Sequence, residues 1–91
     1  MSEKLIKDAG HLAGKPINSI AFFIERKWTN VNYAARPYLD AMHSLGNIHN
    51  TYGLDSAKSI ITYFLSNASS WRGDDARKAK AALKLHLKGA R

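Results

Sequence analysis

Apolar residues recur at helical spacing near the start of the chain. Ser2 is a good N-cap residue and Gly14 suits the end of a helix, so a short first helix is predicted between them. A second apolar segment, residues 20–24, follows Pro16. Its spacing is helical, but a short apolar run is equally typical of a buried strand, so the pattern leaves both open. The apolar positions of the first helix are Leu5, Ile6, Ala9 and Leu12.

The middle of the chain carries two longer apolar patterns. Pro37 suits the first turn of a helix, and a three-or-four spacing then runs from Tyr38 to Tyr52, directly before Gly53. This spacing predicts one continuous helix. Asp55 is placed to cap the next helix, whose wide apolar stripe is typical of the centre of a bundle. That stripe consists of Ala57, Ile60, Ile61, Phe64, Leu65 and Ala68.

A last helix is predicted from Asp74, its expected N-cap, to Gly89. It carries two adjacent stripes, so it is expected to anchor through one edge and present positive charge along the other. The apolar stripe is Ala76, Ala79, Leu83 and Leu87. The basic stripe is Arg77, Lys80, Lys84, Lys88 and, if the helix continues, Arg91.

The four or five helical patterns account for the whole chain, and no internal repeat or low-complexity tract interrupts them. We therefore predict an all-α fold: a single helical domain over residues 1–91, built as one small bundle of four to five short helices. A core of this size is near the lower limit for a stable domain, so self-association as a homo-oligomer would help it.

Composition and motifs exclude several classes of protein. The chain has no cysteine, which rules out disulfides, thiolate zinc sites and iron–sulfur clusters. It has no glycine-rich phosphate loop, no nucleophile elbow and no convincing carboxylate pair, so we expect no cofactor and no enzyme activity. Its four histidines fall on three separate predicted helices without an i, i+4 partner carboxylate, so we also expect no metal. The N-terminal segment is charged, and no run approaches the roughly 20 apolar residues of a membrane span, so we expect a cytoplasmic protein without membrane contact.

The charge of the chain favours an anionic partner. Fourteen Lys and Arg against seven Asp and Glu give a formal net charge of +7. Most of this excess follows Trp71, where acidic residues are confined to Asp74 and Asp75. The basic stripe of the last helix is therefore the main candidate binding surface, although a merely solvated helix face is the competing interpretation.

Aromatic residues interleave with cations in the segments 22–28 and 33–38, and again at 71–72. Exposed clusters of this kind suit nucleobase stacking or a protein hot spot. For Trp71 the favoured alternative is packing beneath the turn, and Phe23, Tyr52 and Phe64 are expected in the core. The candidate patch residues are Arg26, Lys27, Trp28, Trp71 and Arg72.

Several short motifs in the segment 38–84 carry a resemblance to known proteins. They are YLDAM at 38–42, YGLDS at 52–56, YFLSNA at 63–68, WRG at 71–73 and AR at 76–77. The segment, about half the chain, resembles small accessory proteins of phages, prophages and plasmids. The resemblance implies an inhibitor of host defence, anti-CRISPR proteins among them, or a small regulator of nucleic-acid metabolism. It implies no particular site residue.

These observations lead to one main functional hypothesis and two alternatives. The main hypothesis is a non-enzymatic binding protein of a mobile genetic element, which inhibits a host-defence nucleoprotein complex by applying its basic helix face to an acidic protein surface or to the nucleic acid. The first alternative is a basic protein that binds DNA or RNA through phosphate contacts. The second is a structural module that oligomerises through spare apolar helix surface.

Overall fold

The structure, a computed structural model, describes residues 2–89. Within them the fold is mainly helical, with one small antiparallel sheet of two strands. The prediction of a helical fold is therefore confirmed, and the prediction that it is purely helical is wrong. The α-helices are α1 (Ser2–Ala9), α2 (Ile17–Lys27), α3 (Arg36–Met42), α4 (Ala57–Ser66) and α5 (Asp74–Lys88); a 3-10 turn (Gly10–Leu12) follows α1, and the strands are β1 (Thr51–Tyr52) and β2 (Asp55–Ser56).

The segment that the sequence left open between helix and strand is helical. In α2 the residues Ile17, Ile20, Ala21 and Ile24 are all fully buried, as expected for one face of a helix packed against a core. The first turn of α2 is tied to the middle of the chain, because the backbone N–H of Ile17 donates to the carbonyl of Gly46 at 3.0 Å.

The helix predicted from Tyr38 to Tyr52 ends at Met42 instead. The side chain of Asn50 accepts hydrogen bonds from the backbone N–H groups of Gly46 and Asn47, at 2.7 and 2.9 Å. An asparagine side chain competes in this way with the backbone hydrogen bonds of a helix. The spacing of apolar residues carries no information about this competition. Irregular turns therefore replace the second half of the predicted helix.

A hairpin follows these turns. Gly53 has a φ of +64°, and Tyr52 pairs with Asp55 across the two-residue loop, which is the arrangement of a type II′ turn. Asp55 thus lies in a strand, and the predicted cap at Asp55 is wrong: Ser56 caps α4, its Oγ accepting from the N–H of Ser59 at 3.1 Å. Tyr52 is 48% exposed, so its expected place in the core is also wrong.

Helix α5 lies against α1, α2 and α4. Its apolar stripe is buried at Ala76, Ala79 and Leu83 and half-buried at Leu87. Gly89 ends the helix as predicted, but the N-cap is Gly73, whose φ of +108° favours glycine, and not Asp74. This packing fixes which side of α5 faces water.

The indole rings of the two tryptophans stack in the core. Trp28, which follows α2, and Trp71, which precedes α5, have parallel rings with centroids 5.3 Å apart. Phe64 of α4 packs edge-on against Trp28. This aromatic cluster joins three segments that are far apart in the sequence.

Candidate binding surface on the last helix

The basic stripe forms one side of α5, here called the basic face and defined as Arg77, Lys80, Lys84 and Lys88. Helical spacing brings these side chains onto one side of α5, adjacent to the side that carries the buried Ala79 and Leu83. Three of the four are exposed and Lys80 is half-buried. Arg91, the last predicted member, lies outside the described residues.

Arg77 is paired within its own helix. Its guanidinium donates to the carboxylate of Asp74 at 2.5 Å, with both side chains largely exposed. An exposed pair of this kind adds about 0–1 kcal/mol to stability, so it mainly offsets the charge of Arg77. Asp74, expected to cap the helix, acts here as a partner for a cation.

Lys80 is hydrogen-bonded to the segment that precedes α5. Its Nζ donates to the backbone carbonyl of Trp71 at 2.7 Å. Burial lowers the pKa of Lys80, and the positive charges of Lys84 and Arg72 lower it further. Lys80 therefore closes the turn before α5 while adding positive charge to a site that already has an excess of it.

Lys84 and Lys88 differ from the other two members of the basic face. Both are exposed, and among residues 2–89 neither forms a salt bridge with a carboxylate. Their charges are therefore left to solvent and to any partner that approaches α5. These two lysines are the best candidates for direct contact.

A shallow, open groove of about 440 Å³ runs between α1 and the C-terminal part of α5. Leu5 and Leu87 form its apolar floor, and Lys4, Lys84 and Lys88 form its rim. Lys4 is also 3.5 Å from the carboxylate of Asp8, one turn along α1. The groove was not foreseen from the sequence, because it depends on how two distant helices pack.

The aromatic candidates do not reach this surface. Trp28 and Trp71 are 6% and 7% exposed, so their assignment to a binding patch is wrong and both belong to the core. Their neighbours Arg26, Lys27 and Arg72 are exposed cations. Arg26 lines a separate shallow pocket beside His11 and Phe23, away from the groove residues.

A second charged cluster, which the sequence analysis missed, joins α2 to α3. The guanidinium of Arg36 donates to both carboxylate oxygens of Glu25, at 2.9 and 2.6 Å, and to Asp40 at 2.7 Å. His43 Nε2 lies 3.1 Å from Glu25. The helical spacing of Arg36 and Asp40 was the only signal for it in the sequence.

This cluster shifts the pKa values of Glu25 and Arg36. The hydrogen bond from Arg36 lowers the pKa of Glu25; burial opposes this, and His43 adds to the lowering. The bonds to Glu25 and Asp40 raise the pKa of Arg36. Because its guanidinium is committed to two carboxylates, Arg36 is not available for stacking with nearby aromatic rings.

Metal-binding clusters and membrane-spanning helices are both absent from the described residues. Residues 2–89 contain no group of three His, Asp or Glu side chains arranged to hold a metal ion. No helix in that range is long and apolar enough to cross a membrane. Comparison with protein families, curated proteins and solved structures finds no match to this chain.

Proposed function

We propose that the protein is a non-enzymatic binding protein of a mobile genetic element, and that it inhibits a host-defence nucleoprotein complex, as anti-CRISPR proteins do, through its basic face. The observation that carries this proposal is the pair of exposed lysines, Lys84 and Lys88, without a carboxylate partner in residues 2–89. Positive charge displayed on a rigid helix steers an anionic partner and fixes its orientation.

A second candidate is a basic protein that binds DNA or RNA through phosphate contacts. The clustering of Arg72, Lys80 and Lys84 favours it, because burial disfavours the charged form of Lys80 and the charges of Lys84 and Arg72 add to that cost. A phosphate backbone placed there would relieve that cost and release its condensed counterions. Such binding would be indifferent to sequence and strongly weakened by salt.

Affinity capture of the tagged protein from its host, with and without nuclease, tests the first proposal against the second. The test variant is Lys84→Glu with Lys88→Glu, and the matched control is Lys15→Glu with Lys58→Glu, two exposed lysines outside the basic face and outside the candidate patch at 26–28. We expect a protein complex that survives nuclease treatment, is lost with the test variant and is kept with the control. Adding the purified protein should then inhibit that complex.

Three results would contradict the first proposal. Loss of every partner on nuclease treatment, together with a salt-sensitive gel shift of unrelated DNA or RNA, supports the second candidate instead. Equal loss of the partner in the test and control variants would mean that general charge, and not the basic face, is recognised. Retention of the partner by the test variant would place contact on another surface.

A further inference from the structure

The groove between α1 and α5 combines two chemistries that the basic face alone does not have. Lys4 and Leu5 of α1 lie beside the C-terminal residues of α5, whereas Lys7 and Asp8 lie beside Asp74 and Lys78 near its start. The two helices therefore run antiparallel, and their side chains meet along a continuous seam. The groove lies where this seam reaches the exposed lysines.

The floor of the groove is apolar and its rim is cationic. Leu5 and Leu87 are only partly buried against the core, so each keeps apolar surface that a partner could cover. Lys84 and Lys88 rise from the same edge of α5. A ligand that matches this arrangement must present apolar groups at its centre and negative charge at its margins.

We propose that this groove binds an acidic amphipathic segment of a protein partner. An apolar side chain of that segment packs between Leu5 and Leu87, and carboxylates on either side pair with Lys84 and Lys88. This inference rests on the proposed function, since it names the part of the partner that the basic face contacts. The acidic segment is proposed because its carboxylates complement the lysines around the apolar centre of the groove.

Other ligands match the groove less well. Its lining contains no aromatic ring on which a nucleobase could stack, and a phosphate backbone has no apolar group to place on Leu5 and Leu87. Drug-sized ligands are typically enclosed over about 70–90% of their surface, whereas this groove is shallow and open. An extended or helical peptide covers such a surface without being enclosed.

Fluorescence anisotropy with two labelled peptides tests the inference on the unmodified protein. Both peptides contain the same Glu and Leu residues; in one the leucines share a helix face, and in the other they are scattered around it. We expect the amphipathic peptide to bind about tenfold more tightly, because only it can place an apolar face on the groove floor. Equal affinity for the two peptides, or no binding of either, overturns the inference.

Two protein variants locate the contact. Leu87→Gln removes apolar surface from the floor and keeps every charge, and we expect it to weaken the amphipathic peptide about tenfold. Leu54→Gln is the matched control, because Leu54 is fully exposed at the hairpin tip. The Leu54→Gln variant should bind the amphipathic peptide as tightly as the unmodified protein does. Equal affinity in both variants would show that the peptide does not occupy the groove.

The outcomes for the groove and for the proposed function can be told apart. If host capture depends on Lys84 and Lys88 while neither peptide binds, the basic face is the contact surface and the acidic-segment inference alone is wrong. If the amphipathic peptide binds but capture recovers nothing that depends on those lysines, the groove is a peptide site and the proposed inhibition is wrong.

Discussion

The two charged regions of the molecule use cations in opposite ways. In the cluster between α2 and α3, Arg36 is hydrogen-bonded to Glu25 and Asp40. On the basic face, Lys84 and Lys88 stand in water without a carboxylate partner among residues 2–89. The first region joins two helices through ion pairs, whereas the second leaves its charge exposed to solvent.

The residue types suit these two uses. Arginine presents a planar set of donors that can grip two carboxylates at once, and its hydrogen bonds fix the angle between the elements that it joins. Lysine is a flexible and strongly hydrated point charge, which loses less by remaining in solvent. We therefore expect mutations in the first region to affect stability and, under the proposed function, mutations in the second to affect binding.

The largest expected effect comes from giving the basic face an internal partner. Lys84→Glu places an acid one turn before Lys88, which reproduces in α5 the kind of pairing that Arg36 has with Asp40. We expect affinity for the captured partner to fall at least about tenfold, while the unfolding free energy rises by about 0.3 kcal/mol. Titration calorimetry and urea unfolding measure the two quantities. A parallel loss of stability and affinity would erase the contrast between the regions.

A smaller effect is expected from removing the arginine of the first region. Arg36→Gln breaks the bonds to both carboxylates, and because the guanidinium is partly exposed we expect a loss of about 1 kcal/mol in unfolding free energy. Partner affinity should be unchanged. Urea unfolding of this variant beside Lys88→Gln, which should keep full stability, makes the comparison direct. A stability loss that is as large in Lys88→Gln would refute the assignment of roles.

The smallest expected effect is the contribution of Glu25 protonation to the pH dependence of stability. Because the folded protein lowers the pKa of Glu25, its carboxylate adds stability above the pKa of an unpaired glutamate, about 4.3. That contribution is lost as pH falls through the lowered value. Thermal unfolding measures this effect. Between about pH 6 and pH 3, the fall in unfolding free energy should be about 0.5 kcal/mol smaller in Glu25→Gln than in the unmodified protein. Parallel curves for the two proteins would contradict the pairing.

Local pattern was sufficient for much of the helical content. The apolar spacing in α4 and α5 matches the faces that these helices bury, because side chains three or four positions apart share a side. In α1 it holds for Leu5 and Ala9 but not for Ile6, which is 51% exposed. It failed where side-chain hydrogen bonding overrides spacing. Asn50 caps a turn after α3, and Gly53 makes a hairpin where a helix was expected to end.

The candidate surface could be predicted only in part, for a similar reason. Helical periodicity places Lys84 and Lys88 on one side of α5 without any tertiary information. The bond from Lys80 to the carbonyl of Trp71 and the floor formed by Leu5 with Leu87 depend on packing between segments distant in sequence. The spacing of residues within one helix does not determine which distant segments pack against it.

The stacked indoles provide a spectroscopic probe that needs no label. The chain has two tryptophans, and their parallel rings bring residue 28 against residue 71. Their ultraviolet transitions can couple while the rings remain stacked, so circular dichroism and intrinsic fluorescence should both change when the segments before α5 and after α2 separate. Global unfolding and local opening at this junction can thus be followed in the unmodified protein, on the same sample used to measure binding.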